Sequence, residues 1–106
     1  EAAARPYVPS TDPATEKEIA RRALHALRPS RQDRNDWMRV GQALKAKFGN
    51  DGWELFDEWS RMSPEKYDER RNRKEWASFR GERTGLGALI NMAKEDAGAD
   101  WFRRQL

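Results

Sequence analysis

The sequence contains no cysteine and a single histidine, His25. Without cysteine there is no disulfide framework and no thiolate metal site, and a reducing compartment, the cytoplasm, is the expected location. One imidazole cannot assemble a zinc site. Long apolar runs are missing too. Nothing approaches the roughly 20 residues that span a bilayer, and the N-terminus lacks the apolar segment of a signal peptide, so no membrane partner is expected. Leu, Ile, Val and Phe together number only 15 of 106 residues. No stretch alternates with period two, β-branched residues are scarce, and no Asn-Gly or Asp-Gly dipeptide separates two strand-like runs, which removes the signals of a sheet. The start, Glu1-Ala2-Ala3-Ala4-Arg5, has no initiating methionine and reads as a piece of a larger protein.

Charge is what the chain has in excess. Charged residues make up 37%, against roughly 25% in an average soluble protein, and that figure taken with the low aliphatic content leans towards disorder. Two further counts point the other way. The 21 Lys and Arg nearly cancel against 18 Asp and Glu, leaving +3, and there are five Trp, four Phe and two Tyr. A single small domain with an aromatic-rich core is therefore expected.

The chain divides into a linker at 1–14, a domain at 15–98 and an extension at 99–106. Pro6, Pro9 and Pro13 lie in the first stretch with Ser10, Thr11 and Asp12, a composition that does not propagate a helix. Thr15 and Glu18 have the form of a capping box, and Ile19, Ala23, Leu24 and Leu27 recur at helical spacing, which predicts a first helix over 16–28. Asp33 is placed to cap a second, with Trp37, Val40, Gly41, Leu44 and Phe48 as its apolar face and Gly49 at its end. Asn50 or Asp51 opens a short third helix carrying Trp53, Leu55, Phe56, Trp59 and Met62. Ser63-Pro64 starts a single turn through Lys66 and Tyr67, and a fourth helix covers 69–80 with Trp76 and Phe79 as its apolar positions, ended by Gly81. Thr84 caps a fifth bearing Leu86, Leu89, Ile90, Ala93 and Ala97, closed by Gly98. Trp101, Phe102 and Leu106 belong either to a sixth helix or to the start of a following domain. The predicted class is all-α, a small irregular bundle of about five helices.

Candidates for catalysis are few. Gly81, Gly85 and Gly87 surround Glu82, Arg83 and Thr84, but no Lys-Ser or Lys-Thr closes a P-loop and no strand precedes it. A tight turn with an N-cap is the simpler reading, and a phosphate held by the N–H groups at the start of helix five is the sharper one. His25 falls on the charged face of helix one with Glu18, Arg21, Arg22 and Arg28, a surface position. Asp57, Glu58, Asp68 and Glu69 each have Lys or Arg nearby as a simpler partner than a metal. No catalytic residue and no metal ligand is assigned.

Charge by segment says more than net charge. Residues 15–31 sum to +3, 32–48 to +2, 49–63 to −3 and 64–83 to +2, so helices one, two and four are basic and helix three acidic. A dipolar surface of this kind draws a polyanion to one side and offers an acidic patch on the other. The densest signal is Glu69 to Arg83, where Arg70, Arg71, Arg73, Lys74, Arg80 and Arg83 surround Trp76 and Phe79. Phosphates meeting cations while bases stack on rings is how single strands are held. The competing reading is that the two rings pack in the core and the charges form ion pairs on a solvated face.

The order and spacing of Trp37-Met38-Arg39-Val40-Gly41-Gln42-Ala43-Leu44-Lys45, Asp57-Glu58-Trp59-Ser60, Lys66-Tyr67-Asp68, Trp76 with Ser78-Phe79, and Thr84 to Ala93 followed by Lys94-Glu95 resemble the PriCT-2 family, the primase C-terminal helical domain. The resemblance covers about residues 16–98. It departs mildly in the last element, where the usual Gly-Thr-Leu is replaced by a run reading Gly85-Leu86-Gly87-Ala88-Leu89. The resemblance implies a non-catalytic helical module that follows an archaeo-eukaryotic-type primase domain and often precedes a superfamily 3 helicase in phage, plasmid and mobile-element replication proteins. Its implied role is to help hold single-stranded template and the initiating nucleotide, with ATP and Mg²⁺ entering through the parent protein. Taken with the charge pattern, this nominates Arg70, Arg71, Arg73, Lys74, Arg80 and Arg83 for DNA, and Arg21, Arg22 and Arg28 as a second cluster; no nucleotide-binding residue is assigned. The expected partners are single-stranded DNA and the neighbouring primase and helicase domains, with the isolated piece a monomer. The alternative is a docking module between those two domains, using acidic helix three and Trp101, Phe102 and Leu106. A third hypothesis, nucleotide synthesis by this piece alone, lacks a carboxylate-metal site.

Overall fold

Asp33 and Asp68 each start a helix by the same local device, a carboxylate that accepts the backbone N–H three residues on, from Asp36 and Arg71 respectively, both at 3.0 Å. Such a cap satisfies one of the donors that the first helical turn leaves open. The computed structural model describes residues 13–81 and 84–105. Its helices are α1 (Pro13–Ala26), α2 (Arg34–Phe48), α3 (Trp53–Ser60), α4 (Glu69–Ser78), α5 (Leu86–Ala97) and the short α6 (Trp101–Arg104). Single 3-10 turns at Pro29–Gln32 and Gly49–Gly52 lead into α2 and α3, and Ser63 accepts from Lys66 and Tyr67 in the expected turn before α4. There is no strand among the described residues. No helix among them is long and apolar enough to cross a membrane.

Three boundaries differ from the sequence reading. α1 starts at Pro13, so Thr15 lies inside the helix and the predicted capping box is not its start; proline is tolerated in a first turn, where its missing N–H would have no partner anyway. α4 stops at Ser78, because Phe79 turns extended and Gly81 takes a φ of +69°. That glycine lies against the Ala46 backbone and donates its N–H to Gln42 Oε1 at 2.8 Å. α5 begins after Gly85 with no side-chain cap, so Thr84 does not play the predicted role. Residues 1–12, Glu82, Arg83 and Leu106 lie outside the described residues, and the linker reading of 1–14, the assignment of Arg83 and the reading of Leu106 fall wholly or largely on them.

The core joins two chemistries along α2. On one side α1 and α5 pack closely over Ala20, Ala23, Leu24, Leu89, Ile90 and Ala93, small and aliphatic residues that let helices approach. On the other, Phe56 of α3 is fully buried at the centre of an aromatic cluster, with ring centroids of Trp37, Trp76 and Phe79 at 5.1, 5.4 and 5.7 Å. Tilted and edge-on contacts of this kind add to simple burial. Gly41 belongs to the same packing: a Cβ there would stand 2.2 Å from the Phe79 ring. Trp101 of α6 is also buried, and α6 packs on α5. Met62, placed by spacing on the apolar stripe of α3, is instead 51% exposed, because α3 ends at Ser60.

Candidate nucleic-acid interface

α4 places four cations within ten residues, and their geometry can be read directly. At about 3.6 residues per turn, Asn72 and Trp76 share its inner side, where both are buried. Arg70 and Lys74 then fall on the opposite, outer side. Neither has a carboxylate partner among the described residues, and both are exposed. Arg80, just past the helix, is exposed and equally without such a partner there. The two remaining arginines flank this stripe and are partly engaged. Arg71 donates to the Lys66 carbonyl at 2.6 Å, and Arg73 donates from Nε to Glu69 at 3.1 Å while its guanidinium lies over the Trp53 ring, 4.9 Å from the centroid.

The second predicted cluster is arranged differently. Arg21 reaches Glu18 and Glu58, Arg22 pairs with Glu18 and approaches the Gln105 carbonyl, and His25, exposed as expected, stands 3.5 Å from Glu58. Arg28 gives its backbone N–H to Asp96 at 2.9 Å and adds its charge beside that carboxylate. α1 packs on α5 and α3, whereas α4 packs on α3. The structure therefore does not merge the two basic helices into one paired-free surface; acidic α3 lies against both.

Consecutive carboxylates on α3 serve the two neighbours. Glu58 faces α1, and Asp57 faces the other way, accepting from Tyr67 Oη at 2.6 Å, Arg61 Nε at 2.9 Å and Asn72 Nδ2 at 3.4 Å. Burial and this hydrogen bond push the Tyr67 phenol up to about 12, and the bond to Asp57 raises Arg61 in turn. This hub ties the 63–67 turn and α4 to α3. Trp76 and Phe79, the rings of the predicted stacking motif, are 7% and 3% exposed and belong to the core.

Beside α4 opens a polar cleft of about 520 Å³, walled by the start of α2, the end of α3 and the 63–67 turn. Lys66, Arg71 and Arg34, the last paired with Glu75 at 3.4 Å, bring three cations to it, with Asp33 and Glu65 opposing. Its floor is polar and ordered. Gln32 donates to the Trp59 carbonyl at 2.7 Å, and Trp37 Nε1 donates to Ser60 Oγ at 3.0 Å. The sequence reading missed this cleft because its residues come from four separate segments; the only local signal was Lys66-Tyr67 between two helices. No group of three metal-ligating side chains occurs among the described residues.

The model of the family described as Primase C terminal 2 (PriCT-2) matches residues 20–93. The chain belongs to the PriCT-2 family. It is thus a primase C-terminal domain, and the PriCT-2 match runs from α1 into α5, taking in all of α2, α3 and α4. The outer face of α4 and the polar cleft both lie within the PriCT-2 region, while α6 lies beyond it. No curated protein and no solved structure matches the chain.

Proposed function

We propose that this PriCT-2 domain holds single-stranded template DNA against the outer face of α4 while the primase makes its primer. One observation carries the reading: Arg70 and Lys74 stand one turn apart on the solvent side of α4 with no carboxylate partner among the described residues. Unpaired cations keep their full charge for phosphate, whereas paired ones must first break an ion pair. Arg80 extends the stripe past the end of the helix. Arg21 and Arg22, held in ion pairs, drop out of the proposed contact surface, and Arg28, which sits beside Asp96 of α5 and not on α4, is left out of it. The cleft beside α4, with Arg34, Lys66 and Arg71, suits the phosphates of the initiating nucleotide.

The docking alternative draws less support. Trp101 is packed away at 5% exposure, and Asp57 and Glu58 of α3 already have partners. The test is a fluorescence titration of a labelled single-stranded oligonucleotide at low and physiological salt, with and without ATP and Mg²⁺. Arg70→Glu combined with Lys74→Glu is expected to weaken binding at least about tenfold at low salt. Arg21→Glu with Arg22→Glu is expected to change it by less than about twofold. A nucleotide effect on affinity that disappears in Lys66→Glu reports the cleft. Wild-type chain that binds no DNA at low salt overturns the reading in favour of docking.

A further inference from the structure

With Trp76 and Phe79 in the core, a single strand on α4 has lost the rings that the sequence offered its bases. Among the tryptophans one remains incompletely covered, and it lies beside α4. Trp53, the first residue of α3, is half-buried, whereas Trp37, Trp59, Trp76 and Trp101 are all buried. Trp53 is fixed from within by the edge of Trp76, at 6.1 Å and 64°, and by Phe56 at 6.5 Å. Over the ring lies Arg73, whose guanidinium carbon is 4.9 Å from the centroid. Glu69 one turn earlier holds the Arg73 Nε, yet the Arg73 side chain is still 62% exposed.

A guanidinium is planar, and one held over an indole while its side chain stays 62% exposed offers a face on which a base can stack. The aromatic ring behind it and the ion pair to Glu69 fix the plane in advance, so little side-chain freedom remains to be lost when a base arrives. Arg73 also stands in register with the proposed phosphate stripe, three residues after Arg70 and next to Lys74. We infer that the Trp53–Arg73 stack is a base platform for single-stranded DNA, a nucleobase lying on the outer face of the guanidinium while the phosphates follow Arg70 and Lys74. This inference rests on the reading of α4 given above.

The experiment compares the affinity of the whole chain, at low salt, for a short oligothymidylate and for an abasic oligomer of equal length. The two carry the same phosphates and differ only in bases. Wild type is expected to favour the thymidylate about tenfold, the effect of one stacked base, with quenching of tryptophan emission by that oligomer alone. Arg73→Lys keeps the cation and its reach to Glu69 but removes the plane. It should bring thymidylate affinity down to that for the abasic strand and leave the abasic affinity unchanged, which loss of a merely structural ion pair would not do. Trp53→Leu should abolish the quenching, and Arg73→Lys carries the test if that variant does not fold. Equal wild-type affinity for both oligomers, or an undiminished preference in Arg73→Lys, overturns the platform and leaves the α4 reading standing. Failure of both oligomers to bind overturns both.

Discussion

Arg31 stands where three carboxylates converge, with Asp96 at 2.9 Å, Glu95 at 2.8 Å and Asp36 at 3.5 Å. It ties the 3-10 turn before α2 to the end of α5. Its side chain is 12% exposed and that of Asp96 8%, so this pair is held away from water, unlike the cations of α4. The hydrogen bond to Asp96 raises Arg31, and the same bond, helped by the Arg28 N–H, holds the Asp96 carboxyl below its ordinary value of 3.8. A depressed carboxylate contributes stability that is fully present above its unfolded value and is lost as pH falls through the lower folded value. Arg31→Ala, which leaves the nearly buried Asp96 with the Arg28 N–H but without its ion-pair partner, is expected to cost about 2–3 kcal/mol at neutral pH in urea unfolding. Asp96→Asn removes the titrating group, and its stability should fall less steeply than wild type as pH drops below about 4. Parallel acid limbs in the two proteins would remove Asp96 from that account. Nothing about Arg31 in the sequence marks it out from Arg28 or Arg34, since the two carboxylates it hydrogen-bonds, Glu95 and Asp96, lie some 65 residues away.

Helices were legible wherever their signals were local. α2 runs from the Asp33 cap to Gly49 as its apolar spacing and flanking residues require, and α4 starts at Asp68 for the same reason. The class, all-α with no strand among the described residues, followed from period and composition. Ends set by tertiary contact were not legible. The chain past α4 is held by Gly81 against Ala46 and Gln42, residues of α2 that no local spacing connects to it. α4 packs on α3 and is tied to α2 through Lys45, which donates to the Trp76 carbonyl at 2.7 Å, and through the Arg34–Glu75 pair, while its start rests on the Asp68 cap. Asp68→Ala is expected to cost about 1 kcal/mol. Amide exchange should show it first at Arg71, whose N–H loses its acceptor, while α1 and α5 keep their protection. Uniform loss of protection across all helices would mean that α4 does not open separately.

Across the whole molecule, the charge pattern read from the sequence is correct in sum and misleading in placement. α3 is acidic, yet Glu58 is turned to Arg21 and His25, and Asp57 to Arg61, Tyr67 and Asn72. The acidic patch is thereby reduced, and the cations of α1 are neutralised by the same arrangement. This was hidden in the sequence because neighbouring positions on one helix point to different partners, and only the packing of α3 between α1 and α4 says which. The consequence is measurable without any mutation. Each phosphate neutralised on a single strand contributes about 0.7 to the slope of log affinity against log salt. Arg70, Lys74 and Arg80 acting alone give a slope of about −2; adding Arg21, Arg22 and Arg28 would roughly double it. A slope near −2 in the wild-type titration places the template on α4 only. A slope near −4 would mean about three further phosphate contacts, and loss of DNA affinity in Arg21→Glu with Arg22→Glu would assign them to α1 with its pairs to Glu18 and Glu58 open.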